Sequence, residues 1–246
     1  MSHSLLDTLT RTMLIKPHPA GIPFISGGVI AALVLFFLSE FLGMLALLFT
    51  AFCLYFFRDP ERVSPQKSSL ILAPGDGVVS AIVGGVGLPA EIAATDGAKY
   101  TRVSIFLSVL DVHVNRVPVS GKIIRKVYRP GIFLNADLDK ASEDNERCSA
   151  GMEMADGMQI GVIQIAGLIA RRIVNQLEDG QTVTAGARFG IIRFGSRVDV
   201  YMPEGVAPLV CVGQRAVGGE TVLADLKGTE PARKGEFTGK IMEPED

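Results

Sequence analysis

Apolar and polar positions divide the chain into two textures. From Ile22 to Phe57 there is one charge, Glu40, and no Lys or Arg. One straight helix over that run would extend roughly 54 Å at ~1.5 Å per residue, against a hydrocarbon core of ~30 Å. Ser39-Glu40, with Gly43 just beyond, is the easiest place for a turn. The run therefore predicts two apolar helices, about 28–38 and 41–57, forming a hairpin. It far exceeds the ~7–15-residue apolar core of a signal peptide. Leu5, Leu6, Leu9, Met13 and Leu14, with Arg11 and Lys16, form an amphipathic lead-in suited to a membrane surface. Arg11 and Lys16 before the run, and Arg58 and Arg62 after it, place both ends on the cytoplasmic side. Each arm is near or below spanning length, so a re-entrant or deeply embedded anchor fits as well as two crossings.

After Phe57 the texture changes. Arg58-Asp59-Pro60-Glu61-Arg62-Val63-Ser64-Pro65 is a polar, proline-punctuated linker. Short apolar runs then alternate with glycine turns, predicting strands at 70–73, 77–84, 100–109, 119–128, 158–166, 181–184, 190–194, 197–202, 208–212 and 221–224. The fold class expected is mainly β (α+β): a helical hairpin followed by a sandwich or barrel-like β domain with one or two short helices. Ile165–Val174 carries apolar residues at helical spacing, and 136–141 is a second helix candidate. The organisation expected is an anchor over 1–57, a catalytic domain over 58–226 and a polar tail over 227–246.

Composition narrows the function. The mean hydropathy of +0.34 is high for a soluble protein, and the hairpin supplies much of it. A net charge of −2, 7% aromatics and no Trp argue against a nucleic-acid partner. Cys53, Cys148 and Cys211 form no C-x-x-C, and Cys53 and Cys211 read as buried thiols. No Walker loop or dinucleotide fingerprint is present.

The candidate chemistry centres on Phe189–Tyr201. Val198, Val200 and the aromatics alternate with polar residues as in a half-buried strand, yet Gly195-Ser196 interrupts it. A glycine inside a strand marks a bulge or a close backbone approach. The plain reading is a bulge with a solvent-facing serine; the sharper one is a hydroxyl placed to attack the Gly195 carbonyl. His3 and His18 lie in the lead-in, leaving His113 as the β domain's one histidine. Alternation puts Asp111, His113 and Asn115 on one face of an extended segment. A zinc site would need thiolate or carboxylate partners that do not cluster here, so general acid–base work is the better role. Ala73-Pro74-Gly75-Asp76-Gly77 is a tight turn, and its acid would orient or charge-stabilise His113. Asp139-Lys140-Ala141-Ser142 and Asn145-Glu146-Arg147 read as a polar loop or a lid. Arg147, Arg171 and Arg172 are the candidate phosphate contacts.

Arg193-Phe194-Gly195-Ser196-Arg197-Val198-Asp199-Val200-Tyr201-Met202-Pro203 resembles the cleavage motif of the phosphatidylserine decarboxylases, in the short bacterial form. Ile15–Gly21, the hairpin, Phe57–Pro60, Ala73–Gly77, Asp111–Arg116, Asp139–Ser142, Asn145–Arg147 and Ile165–Arg172 match that family in order, up to about residue 215. The resemblance implies a membrane-bound proenzyme that cuts itself between Gly195 and Ser196. It would yield a β subunit (1–195) and an α subunit (196–246). Ser196 would become a pyruvoyl group that takes the amine of phosphatidylserine as a Schiff base, with no metal and no pyridoxal phosphate. The product would be phosphatidylethanolamine. Longer members carry His-x-x-His, and Arg116 stands where the second histidine would be, so either His113 serves both self-cleavage and decarboxylation or another group substitutes; the expectation is that Asp76 and His113 drive self-cleavage. The alternatives are a decarboxylase of another serine phospholipid of archaetidylserine type, a serine hydrolase, and a non-enzymatic β adaptor. The missing Gly-x-Ser-x-Gly elbow counts against the hydrolase.

Overall fold

The computed structural model of the protein describes residues 15–93, 97–131, 145–167, 172–193 and 195–236. The apolar run folds into helices α1 (Ile22–Leu38) and α2 (Glu40–Phe56). Ser39 alone separates them, extended at φ −165° and ψ 131°. The break falls where the sequence predicts it, while α1 starts earlier than residue 28. Pro23 does not stop it, because the N–H of a first-turn residue has no partner inside the helix. Gly21 lies against Phe57, Gly28 against Thr50, and Gly43 against Phe36, so the helices run antiparallel. At Gly28 and Gly43 an added Cβ would fall onto the Thr50 hydroxyl and the Phe36 ring; glycine sets the approach of the two backbones. His18 N–H donates to Phe57 O at 2.7 Å, and Asp59 N–H to Lys16 O at 3.0 Å, closing the hairpin's base. Ile30, Leu33, Phe37, Leu38, Phe41 and Leu48 are all exposed, an apolar surface that marks membrane contact. Pro19–Leu38 is long and apolar enough to cross a bilayer.

The strands are β1 (Leu70–Leu72), β2 (Gly77–Val86), β3 (Tyr100–Leu107), β4 (Val114–Arg116), β5 (Gly121–Arg129), β6 (Arg147–Glu153) and β7 (Gln159–Ala166). They continue as β8 (Ile173–Asn175), β9 (Thr182–Val183), β10 (Arg188–Ile192), β11 (Ser196–Pro203), β12 (Arg215–Ala216) and β13 (Val222–Asp225). Eight form a curled antiparallel half-barrel in the order β12-β2-β3-β11-β7-β6-β5-β9. A three-stranded sheet β4-β10-β8 and the pair β1-β13 complete the β structure of the described residues. Ser196, Val198, Val200 and Met202 turn to the interior with Ile105, Leu107 and Val162. Arg197 and Asp199 turn to the other face as a buried pair with two contacts of 2.8 Å.

Several expected elements change. β4, β6, β8 and β12 are not among the expected strands. At the ends of the helix expected over Ile165–Val174, β7 runs through Ala166 and β8 begins at Ile173, each held by register to β11 or β10, while 168–171 lie outside the described residues. The strand expected at 208–212 is a bend beside β13, and Cys211 is partly exposed rather than buried. Asp111 sits in a turn before β4, not on an extended segment with His113. The lead-in over 1–14 and the helix expected at 136–141 lie outside the described residues.

Candidate active site

The Gly195-Ser196 bond lies where a loop enters β11. Gly195 has φ +70°, a left-handed conformation costly for residues with a Cβ, and an added Cβ would meet nothing within 4 Å. Glycine is needed here for its backbone shape, not for space. Ser196 is wholly buried, registered between Leu107 of β3 and Ala166 of β7. Its Oγ has no partner among the described residues. The Gly195 carbonyl oxygen accepts from Gly167 N–H at 3.2 Å, so that carbonyl is polarised by a main-chain donor.

His113, also wholly buried, faces this bond. Gly195 N–H donates to His113 Nε2 at 3.2 Å, and Nδ1 lies 3.0 Å from Asp111 O. A carbonyl only accepts and an amide N–H only donates, so both contacts fix one tautomer: proton on Nδ1, lone pair on Nε2. Burial pulls the imidazole pKa down to about 4, against the raising effect of Asp111, so the ring is neutral near pH 7. Phe56 of α2 tilts against the ring at 4.4 Å, and Cys53, Phe57, Val112, Val114 and Ile191 fill the surrounding cluster. The base of the anchor is therefore one wall of the histidine's site.

Asp76 does not bond His113 among the described residues. It pairs with Arg62 at 2.6 Å and accepts from Gly218 N–H at 2.8 Å. Burial nonetheless raises its carboxyl, outweighing the pull of Arg62. The group on Nδ1 is the Asp111 carbonyl. That turn is braced by the Asp111 carboxylate, which accepts from Ser108 N–H at 2.9 Å and Ser108 Oγ at 2.8 Å and pairs with Arg215. Arg116 is a tie, not a substitute base: its guanidinium donates to Gly186 O and Pro60 O, at 2.9 and 2.7 Å.

A chain of amides runs below β11. Leu177 N–H donates to Asn175 Oδ1 at 2.9 Å, Asn175 Nδ2 to Gln164 Oε1 at 2.8 Å, and Gln164 Nε2 to Asn115 Oδ1 at 2.7 Å. The backbone donor at one end fixes every amide's orientation. The chain ends on Asn115 Nδ2, a buried donor without a partner among the described residues. Gln164 pairs with Val198, one step along the same face as Ser196.

Of the phosphate candidates, Arg147 is buried against Glu91 at 3.0 Å, Arg172 is exposed beside β8, and Arg171 and Asp139–Ser142 lie outside the described residues. Sequence reasoning missed the Gly167 donor and the Asp111 carbonyl, which are main-chain groups that leave no side-chain signal. It also missed the Phe56 wall, hidden in the anchor's apolar pattern.

The phosphatidylserine decarboxylase family model matches residues 49–224. A phosphatidylserine decarboxylase proenzyme of Granulibacter bethesdensis is 57% identical over 216 residues, covering 88% of each chain. That of Paramagnetospirillum magneticum is 52% identical over 230 residues, covering 94% of this chain and 95% of the relative. That of Beijerinckia indica is 54% identical over 228 residues, covering 93% and 97%.

Proposed function

Because the chain belongs to the phosphatidylserine decarboxylase family, we propose that it matures by cutting itself between Gly195 and Ser196, with His113 as the base. Its function is that of a phosphatidylserine decarboxylase proenzyme, a carboxy-lyase of lipid biosynthesis. The observation that supports the self-cleavage reading is the unprotonated His113 Nε2 on Gly195 N–H, one residue before a buried Ser196 whose Oγ has no partner among the described residues.

The chemistry follows from those atoms. His113 Nε2 takes the Ser196 hydroxyl proton as Oγ attacks the Gly195 carbonyl carbon, and Gly167 N–H stabilises the oxygen as charge builds there. The C–N bond breaks, its nitrogen takes a proton, and Gly195 is left as an ester on Ser196. Loss of the Ser196 α-proton then expels the Gly195 carboxylate and leaves dehydroalanine. Tautomerisation to the imine, addition of water and release of ammonia convert residue 196 to pyruvoyl. Ser196 suits this conversion because its side chain has no bond among the described residues to lose. The pyruvoyl group, once formed, supplies the electron-withdrawing carbonyl that decarboxylation needs. Phe56 and Leu107 keep water from the position, and His113 remains to hold or deliver a proton. Asp76 acts at one remove, as a positioning residue that fixes Arg62 and the Gly218 turn. The substrate is phosphatidylserine, drawn from the membrane that the hairpin enters. The basic flanks Lys16, Arg58 and Arg62 support a cytoplasmic face for the catalytic part.

Ser196→Ala should run as one uncut chain without activity, and wild type as fragments 1–195 and 196–246, the smaller with a blocked amino terminus. An active, uncut Ser196→Ala enzyme would overturn the mechanism. If His113→Ala yields both fragments at the wild-type rate, His113 is not the base.

A further inference from the structure

Arg193 and Arg172 stand side by side between the anchor and the scissile bond. Arg193 N–H donates to Arg172 O at 3.2 Å, extending the β10–β8 ladder by one pair. Neighbouring strands carry such pairs with Cβ atoms only ~5 Å apart, where like charges repel. Burial and the charge of Arg172 both hold the Arg193 guanidinium below its usual range. Neither arginine has a carboxylate partner among the described residues. The acids nearby are engaged elsewhere: Asp59 with Arg188 and Arg116, and Glu146 with Ile173 N–H at 3.1 Å. Arg193 Nε is itself buried and unpartnered among the described residues.

The position is as informative as the charge. The Arg193 guanidinium lies 5.3 Å from the ring centre of Phe24, in the first turn of α1. This is the base of the hairpin, where an inserted anchor meets lipid head groups. Arg193 is also two residues before Gly195. Two guanidiniums without a carboxylate partner among the described residues, at head-group level and beside residue 196, make a site for a doubly ligated anion.

We propose that Arg193 and Arg172 bind the phosphate of the phosphatidylserine that is being decarboxylated. The proposal rests on the decarboxylase reading above. In phosphatidylserine the phosphate lies three bonds from the carbon that loses carboxylate, so a group held at residue 196 brings its phosphate toward residue 193. The same pair would otherwise serve one of two other anions: bulk membrane lipid, or the Gly195 carboxylate released by self-cleavage.

The test uses full-length enzyme in detergent micelles with short-chain phosphatidylserine, comparing wild type with Arg172→Gln, Arg193→Gln and Arg193→Lys. Denaturing gels score cleavage first. The cleaved glutamine variants should show KM raised ~10-fold or more, with the larger loss in KM than in kcat, as expected for a lost charge-assisted bond. Inorganic phosphate should inhibit wild type competitively and these variants at least ~10-fold more weakly. Arg193→Lys, which keeps charge but loses the two-pronged donor, should fall between. Sedimentation with phosphatidylglycerol vesicles should match wild type. Unchanged KM and phosphate inhibition in cleaved Arg172→Gln would overturn the proposal. Loss of sedimentation in parallel with KM would reassign the pair to bulk lipid, and failure of both glutamine variants to cleave would reassign it to the precursor. A wild-type enzyme that cleaves but leaves phosphatidylserine untouched would instead sink the decarboxylase reading.

Discussion

At the scale of single residues, His113 sets the behaviour of the site. Its folded pKa of about 4 lies below the ordinary 6.5, so between those values the unfolded chain binds more protons than the folded one. Stability from this group is complete above pH 6.5 and is lost as pH falls toward 4, by about 3 kcal/mol in all. Urea midpoints at pH 7 and pH 5 should show the loss, and His113→Gln should flatten it. Self-cleavage should run at a nearly constant rate from pH 8 to pH 5.5, where an ordinary histidine would already be mostly protonated. Fragment appearance on a denaturing gel measures this, and a rate that halves near pH 6.5 would contradict the buried neutral base. Gln164 is a second lever. Gln164→Leu leaves Asn115 Oδ1 buried and Asn175 Nδ2 half-buried without these partners, and should cost roughly 1–3 kcal/mol in urea unfolding. Ser196, Gly195 and His113 were legible from residue type and spacing. Asp76 was legible only as an acid in a turn; its partner could not be read, because Arg62 reaches it from the linker.

The hairpin shows what an element's pattern encodes. Its existence and its turn at Ser39 followed from length and charge, whereas its packing depends on which of two adjacent glycines faces the partner helix. A Cβ at Gly28 would strike Thr50, while one at Gly27 meets nothing within 4 Å. Gly28→Ala should therefore destabilise by about 1–3 kcal/mol through overpacking. Gly27→Ala should be neutral or stabilising by up to about 1 kcal/mol through helix propensity. Thermal unfolding in detergent separates the two. Among the strands, β6 went unread because Arg147-Cys148-Ser149-Ala150-Gly151-Met152-Glu153 has no period-two alternation. It is buried because β5 and β7 flank it, and Glu91 neutralises its arginine. The ends of Ile165–Val174 differ in the opposite sense: Ile165-Ala166 and Ile173-Val174 follow the register that β11 and β10 impose rather than helical spacing.

Across the whole molecule, the expected cut would open the chain at the start of β11, which lies between β3 and β7 within the half-barrel. The 196–246 piece would carry β11, β12 and β13, each paired with a strand of the larger piece. The two fragments should therefore co-elute on gel filtration and separate only in denaturant. Attachment to vesicles should survive 1 M salt and yield to detergent, because the exposed hairpin is apolar and salt screens charge alone. Release by salt would show that surface charge, not the hairpin, holds the protein. The sequence by itself determined the two textures and the β-rich class and singled out the Gly195-Ser196 pair proposed to react, since each is a local matter of hydropathy, period or residue chemistry. Only the tertiary structure decided that the anchor's Phe56 walls the histidine, that a main-chain carbonyl rather than Asp76 meets its Nδ1, and that Gly195 is needed for its positive φ. Those facts arise from contacts between residues far apart in the chain, and from backbone groups that every residue shares, so no residue pattern could announce them.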